Sequence, residues 1–150
     1  MSWRRSAEFT LREEVAAPPD RVRDFYVDLD NMRLVHPLVV CVRTVARDDT
    51  STGYVRTYRV VDRIPLGRVT LRTRYLARVH VPFAGDVTAE ARQFAGVRVR
   101  SVVAFDEIDS GTRIVEQMRI AVPWPLAGVT ISQAVQAHSE MLSNIRRYFA

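Results

Sequence analysis

The sequence predicts an α+β fold: seven antiparallel strands, two short helices after the first of them, and one long helix at the C-terminal end. Three observations predict it. From about residue 38 to 122 the chain runs in segments rich in Val, Thr, Tyr, Ile and Arg, cut by short turn sequences. From about Leu126 to Phe149 the apolar residues instead recur at helical spacing. Between these extremes, Pro18-Pro19-Asp20 opens a shorter apolar stripe that ends before Pro37.

Each element has its own signal. In residues 7–15 Phe9, Leu11 and Glu13 share one face of a first strand. Proline suits the first turn of the helix that follows, and Asp20 faces the positive end of its dipole. Val22, Phe25, Tyr26 and Leu29 then fall at i, i+3, i+4 and i+7. Asp30-Asn31 is expected to cap a second short helix, which Pro37 stops after His36. Six strands follow over 38–46, 54–64, 68–80, 86–94, 97–108 and 112–122. Their turns are placed at Asp48-Asp49, Pro65-Leu66-Gly67, Pro82 to Gly85, Ala95-Gly96 and Ser110-Gly111. Such short connections imply an antiparallel meander, and Pro123-Trp124-Pro125 ends it. The last helix carries Ile131, Ala134, Val135, His138, Met141, Leu142, Ile145 and Phe149 on one face, and Ser132, Gln133, Gln136, Glu140 and Arg147 on the other. At 1.5 Å per residue it is roughly 35 Å long, enough to cross a whole sheet.

Composition narrows the function classes. A chain of 150 residues, 47% hydrophobic and 26% charged, is expected to fold as one domain over 1–150. One cysteine, Cys41, excludes an internal disulfide framework and a four-cysteine zinc site. No apolar run reaches the roughly 20 residues that span a bilayer. The basic start at Met1 to Arg5 leads into Glu8, Glu13 and Glu14 rather than an apolar signal core, so a cytoplasmic protein is expected. All 22 basic residues are arginine and the net charge is +5. The arginines are scattered among 17 acids without a basic block, so nucleic-acid binding is not expected.

The order of elements, with Ala17-Pro18-Pro19-Asp20-Arg21-Val22, Phe25 to Asp30, His36-Pro37, Gly111-Thr112-Arg113 and the helix carrying His138 to Phe149, resembles the START/Bet v 1-like (SRPBCC) superfamily. Within it the chain is similar to the bacterial polyketide cyclase/dehydrase and lipid-transport group. The resemblance covers nearly the whole chain but carries no catalytic signature. It implies a helix-grip fold, in which a seven-stranded antiparallel curved sheet wraps around the long C-terminal helix and encloses an apolar cavity.

Strand alternation says which side chains face that cavity. Val69, Leu71, Thr73, Tyr75, Ala77 and Val79 share a face against Thr70, Arg72, Arg74, Arg78 and His80. Val97, Val99, Ser101, Val103 and Phe105 oppose Arg98, Arg100 and Asp106. In the last strand Thr112, Ile114, Glu116, Met118 and Ile120 oppose Arg113, Gln117 and Arg119. A two-residue turn at Ser110-Gly111 sets Phe105 opposite Glu116. Glu116 is thus an acid on an apolar face, where burial demands that it be neutral or paired. Strand 54–64 offers Arg56 on the face of Tyr54, Tyr58 and Val60, or Arg59 on the other. A turn at Leu66-Gly67 pairs Tyr58 with Tyr75 and Arg56 with Ala77, which points Arg56 inward as a partner for Glu116 or an acidic ligand group. His138 stands on the apolar face of the last helix, either as a core histidine or as a cavity acid/base. His36 falls at the cavity mouth or in a loop, and Cys41 reads as a strand residue.

These faces nominate Tyr58, Thr73, Tyr75, Ser101, Phe105, Glu116, Met118, His138 and Met141 as ligand-binding residues, with Glu116, His138 and Arg56 as candidates for catalysis. The expected function is carriage of a hydrophobic or amphipathic small molecule, such as a lipid or polyketide, by a monomer or homodimer. The alternative is an aromatase/cyclase acting on a poly-β-ketone by acid/base chemistry. A third class, an interaction module, has only the arginine-rich outer faces behind it. Glycine-rich phosphate loops, GxSxG and HExxH are missing and the three histidines lie far apart in sequence, so no cofactor or metal is expected.

Overall fold

The computed structural model describes residues 4–93, 96–125 and 127–150. Strand β1 (Arg4–Val15) leads into helix α1 (Pro19–Val27), a single 3-10 turn (Leu29–Asn31) and helix α2 (Met32–Val35). Strands β2 (Val39–Thr50), β3 (Gly53–Leu66), β4 (Val69–Pro82), β5 (Val87–Gln93), β6 (Val97–Ile108) and β7 (Gly111–Pro123) follow, then helix α3 (Ala127–Tyr148). All seven strands form one antiparallel sheet in the order β1-β7-β6-β5-β4-β3-β2. This is the expected helix-grip architecture. Expected boundaries at Phe94, Ala95 and Leu126 lie outside the described residues.

The sheet is too wide for its helix. Six steps of about 4.8 Å make it roughly 29 Å across, while a helix with its side chains spans about 10–12 Å. Helix α3 packs on β1, β7 and α2, so it covers one flank of the concave face. Ala127, Ala137, Met141, Leu142 and Ile145 are its buried residues, Ala137 adding to the stripe read from the sequence. Its first half rests on Val97, Met118, Ile120 and Val122, with Phe9 and Leu11 beside them. Across the middle of the sheet the inward residues are small: Ala77 pairs with Ala91, and Ala89 with Ser101. Space is left where neither helix nor side chain fills it.

Polar clamps hold the covering elements. The Tyr58 hydroxyl donates to the Val27 carbonyl at 3.2 Å, tying the end of α1 to β3. Gln133 donates to Pro65 O at 2.9 Å and Asn144 to Val35 O at 2.8 Å, which fix α3 to β3 and α2. Asn31 is the N-cap of α2 as expected, but its side chain makes no capping bond. Asp28 accepts from Asp30 N and starts the 3-10 turn, whereas Asn31 reaches back to Phe25 O.

Three turns depart from the sequence reading. Asp48 and Asp49 lie within β2, opposite Val55 and Tyr54, and the turn is Ser51-Thr52. That stretch of β2 is an exposed edge, so polar residues there cost no burial and do not interrupt the strand. The β3–β4 turn is Gly67-Arg68, because Leu66 pairs with Val69. Gly67, at φ +62°, takes the first central position, where primed hairpin turns need a positive φ. The β6–β7 turn is Asp109-Ser110, with Ile108 opposite Gly111. Moving either hairpin turn by one residue shifts the register by two: Tyr58 faces Ala77, Arg56 faces Val79, Phe105 faces Ile114 and Glu116 faces Val103. A two-residue shift keeps every side chain on its face. Val69 and Leu71 are on the inner face, yet 65% and 46% exposed.

Gly111 is pressed against the β1–α1 connection at φ +140°, and an added Cβ there would overlap the Val15 carbonyl and Ala17 N. Next to it the fully buried Thr112 hydroxyl donates to Ala17 O at 2.7 Å. Thr112→Val keeps the shape and orphans that carbonyl, which is expected to cost about 1–3 kcal/mol. Urea unfolding of both proteins measures it through the shift in midpoint at constant slope.

Candidate functional site

The site is assembled where β7 and α3 face each other. Glu116 comes from the middle of β7 and is fully buried. His138 reaches it from α3, with Nδ1 2.7 Å from Glu116 Oε1. The buried acid is therefore paired, with His138 and not with Arg56. Arg56 stands on the Tyr58 face as read, but at the rim, where Nε and Nη2 both donate to Thr44 Oγ1 and the guanidinium lies 4.8 Å from the Tyr58 ring centre. The outward Arg59 is exposed. Glu116 Oε2 is buried without a hydrogen bond among the described residues, although the Tyr26 phenol is near enough to feel the carboxylate.

Two chambers open from this pair. The smaller, about 130 Å³, lies between the sheet centre and α1–α2, with Tyr26, Met32, Val60, Ala77, Ser101 and Met141 among its walls. The larger, about 460 Å³, is bounded by Asp62, Ile64, Leu71, Thr73, Val97, Ile120, Val129 and Ala134. His36, Tyr75, Gln93, Val99 and His138 line both, so the chambers meet at the two imidazoles. The rings of His36 and His138 stand edge to face with centres 5.3 Å apart. Leu71 and Val129 are exposed, which places the mouth of the larger chamber between the β3–β4 hairpin and the start of α3.

Electrostatics sort these groups. For His138, burial disfavours the imidazolium, but the charge and hydrogen bond of Glu116, with the more distant Asp62, outweigh it and raise its pKa above 6.5. His36 has no such partner: burial, then the charge of His138, lower it to about 3. Its Nδ1 accepts from Leu38 N at 3.2 Å, so the neutral ring carries its proton on Nε2. Burial raises Asp62 to about 6, and the Tyr75 hydroxyl, donating to Oδ1 at 3.3 Å, partly offsets this. Tyr26 and Tyr75 are held as neutral phenols, by burial first and then by Glu116 and Asp62 respectively. A histidine oriented through Nδ1 by a buried carboxyl leaves Nε2 for a ligand, as acceptor when neutral and donor when protonated. Among the described residues no three His, Cys, Asp or Glu side chains come together to hold a metal ion.

Comparison with known proteins agrees with this architecture. The sequence model of the family described as polyketide cyclase / dehydrase and lipid transport matches residues 6–150. The chain belongs to that family. Among solved structures, the protein TTHA0849 from Thermus thermophilus superposes with a TM-score of 0.72 at 19% identity, over 94% of this chain and 95% of that one. A START superfamily protein from Mycobacterium smegmatis gives 0.68 at 13%, over 97% and 99%. The Zhui aromatase/cyclase from a Streptomyces species gives 0.68 at 13%, over 96% and 94%. No curated protein matches the chain in sequence. At these identities the structural neighbours share the SRPBCC fold, and this family member's site must be read from its own residues.

Of the nominated residues, Thr73, Tyr75, Ser101, His138 and Met141 line a chamber, and Glu116 stands behind His138. Tyr58, Phe105 and Met118 line neither. Tyr58 is spent on the Val27 carbonyl, Phe105 packs edge-on against Tyr26, and Met118 lies in the core under the first half of α3. Asp62 is not among the residues nominated from the sequence, although it carries the signal that marks Glu116: an acid sharing a strand face with Tyr58 and Val60. Cys41 and His80 are exposed on the outside of the sheet.

Because the folded-state pKa of His138 is raised, its stabilising contribution is complete below pH 6.5 and is lost as pH rises through the folded value. Glu116→Gln removes the charge that outweighs burial, so the His138 pKa is expected to fall below 6.5. Imidazole chemical shifts followed by NMR across about pH 4–9 measure the reversal.

Proposed function

We propose that this protein binds a hydrophobic or amphipathic small molecule, such as a lipid or polyketide, inside the cavity and serves to carry or sequester it. One observation carries the reading. The concave face is apolar, but its centre is built from Ala77, Ala89, Ala91 and Ser101, where larger side chains would close the core. Interiors are normally packed to the density of organic crystals, and a void costs stability in proportion to its volume. A chamber kept open beside a larger one that reaches the surface fits an apolar ligand, with His138 and Tyr75 to orient it.

A second reading is favoured by the Glu116–His138 pair. A base with its orienting carboxyl, facing a cavity, is an arrangement suited to proton transfer on a carbonyl compound. The aromatase/cyclase among the structural neighbours is consistent with it. Catalysis on this reading is acid/base work by His138 Nε2, with Glu116 as its positioning residue.

The two readings part experimentally. Mass spectrometry of material extracted from natively purified protein should find a bound apolar metabolite, and an apolar dye should bind saturably. Ala77→Trp and Ser101→Phe fill the smaller chamber and should weaken dye binding by at least about tenfold, the scale of losing one well-buried side chain's worth of apolar contact. An unchanged affinity in both would rule out ligand binding in that chamber. His138→Gln should alter affinity modestly in a carrier. If wild type turns over a poly-β-ketone mimic, the same change should reduce the rate by about 10²–10⁴-fold with dye affinity retained, and the enzyme reading then replaces the carrier.

A further inference from the structure

We propose that the larger chamber contains a head-group subsite, formed by Asp62, Thr73 and Tyr75, that takes the ammonium of an apolar primary amine in preference to a carboxylate. This rests on the ligand-binding reading above and names the chemical class of the ligand.

The three residues converge by register. Asp62 of β3 is directly opposite Thr73 of β4, and Tyr75 is one inward position further along the same strand. Cross-strand partners on one face have their Cβ atoms about 4.5–5.5 Å apart, so the three polar groups form one patch on the chamber wall. Asp62 is only 4% exposed, and its one hydrogen bond from a side chain among the described residues is the 3.3 Å contact from Tyr75. Thr73 Oγ1 is buried with no hydrogen-bond partner among the described residues. Buried polar atoms in folded proteins are nearly always satisfied, so an orphaned hydroxyl beside a weakly bonded carboxyl points to a partner supplied by a ligand.

The charge of that partner follows from what surrounds the patch. Among the described residues no arginine pairs with Asp62, and the neighbours Arg63, Arg72 and Arg74 lie exposed on the outer face. His36 is neutral and Tyr75 remains a phenol. Glu116 stands behind His138, 2.7 Å from its Nδ1, and does not line the larger chamber. Among the described residues lining the larger chamber Asp62 is the one acid, and no arginine is found. His138 at its inner end is the one group there whose charge acts on Asp62, so above about pH 6 the wall beside Thr73 and Tyr75 is negative. An ammonium offers three donors to the Asp62 carboxylate, the Thr73 hydroxyl and the Tyr75 oxygen, and it neutralises the carboxylate. A fatty carboxylate brought there would meet like charge in a place with little water. The surface carries the opposite bias: the net charge of +5 attracts anions, so a preference for amines must arise inside.

The test uses the full chain at about pH 7.5 and about 0.5 M salt, which shortens the screening length to a few ångströms and suppresses surface attraction. Decylamine, decanol and decanoate, each below its micelle concentration, compete with a bound apolar dye. The wild-type ranking is the first readout: decylamine should displace the dye at a concentration at least about tenfold below decanoate. Asp62→Asn should close that gap, with decylamine losing far more than decanol, and Thr73→Val should weaken decylamine and decanol about threefold without affecting decanoate. Decanoate binding as well as decylamine, or a gap that survives Asp62→Asn, overturns the amine subsite and leaves the carrier reading standing. Failure of the dye and all three amphiphiles to bind overturns the carrier reading, and the subsite with it.

Discussion

One helix has to cover one face of a seven-stranded sheet, and it is too narrow to do so. Most of the fold is a response to that mismatch. Helix α3 settles against β1 and β7 at one flank, and α1 and α2 cross from the β1 edge to the β2 edge. The strands between bring the small residues Ala77, Ala89, Ala91 and Ser101 to their centre. An ordinary core would use leucine or isoleucine in those positions and bring the layers together. Here the interior stays open, at the cost of packing contacts that the surrounding rows of Val, Ile and Met must offset.

An open interior lowers the cost of burying polar groups only if they find partners. Glu116 does so through His138, a contact between the sheet and the helix that also defines how the helix is rotated about its axis. Removing one member of such a pair leaves the other stranded, so the two side chains function as a unit. Asp62 has one long hydrogen bond and a raised pKa. Both acids are incompletely bonded: Glu116 keeps one oxygen without a hydrogen bond among the described residues, behind His138, and Asp62 stands on the wall of the larger chamber. His36 lies between them and stays neutral, which prevents two imidazolium charges from meeting at the point where the chambers join.

The structural neighbours share the grip of sheet on helix at 12–19% identity, so the fold tolerates almost complete exchange of side chains. What is common to them is the pattern of layers. In this chain the polar groups aimed inward include Tyr26, His36, Asp62, Thr73, Tyr75, Ser101 and His138, with Glu116 behind the last of them. Function in a family of this kind resides in those few positions rather than in the architecture.

Much of this is legible in the residues themselves. Alternation of period two places Glu116, Ser101, Thr73 and Tyr75 on the inner face, and helical spacing places His138 on the inner stripe of α3. Those faces do not depend on locating each turn correctly, because moving a hairpin by one residue shifts its register by two and leaves each side chain on its own side. Pairings do depend on it. Glu116 visibly needs a partner, but nothing local says whether it comes from β3 or from α3, since contacts between distant segments depend on how layers stack. Alternation also says which way a side chain points and not what lies above it, which is why Val69 and Leu71 face inward yet remain in water, and why Tyr58 and Met118 meet other side chains instead of a chamber. The sequence determined the faces by itself, through the fixed geometry of strand and helix. The tertiary structure alone decided the partners and the empty space, because both are properties of the gap between elements and of no single one.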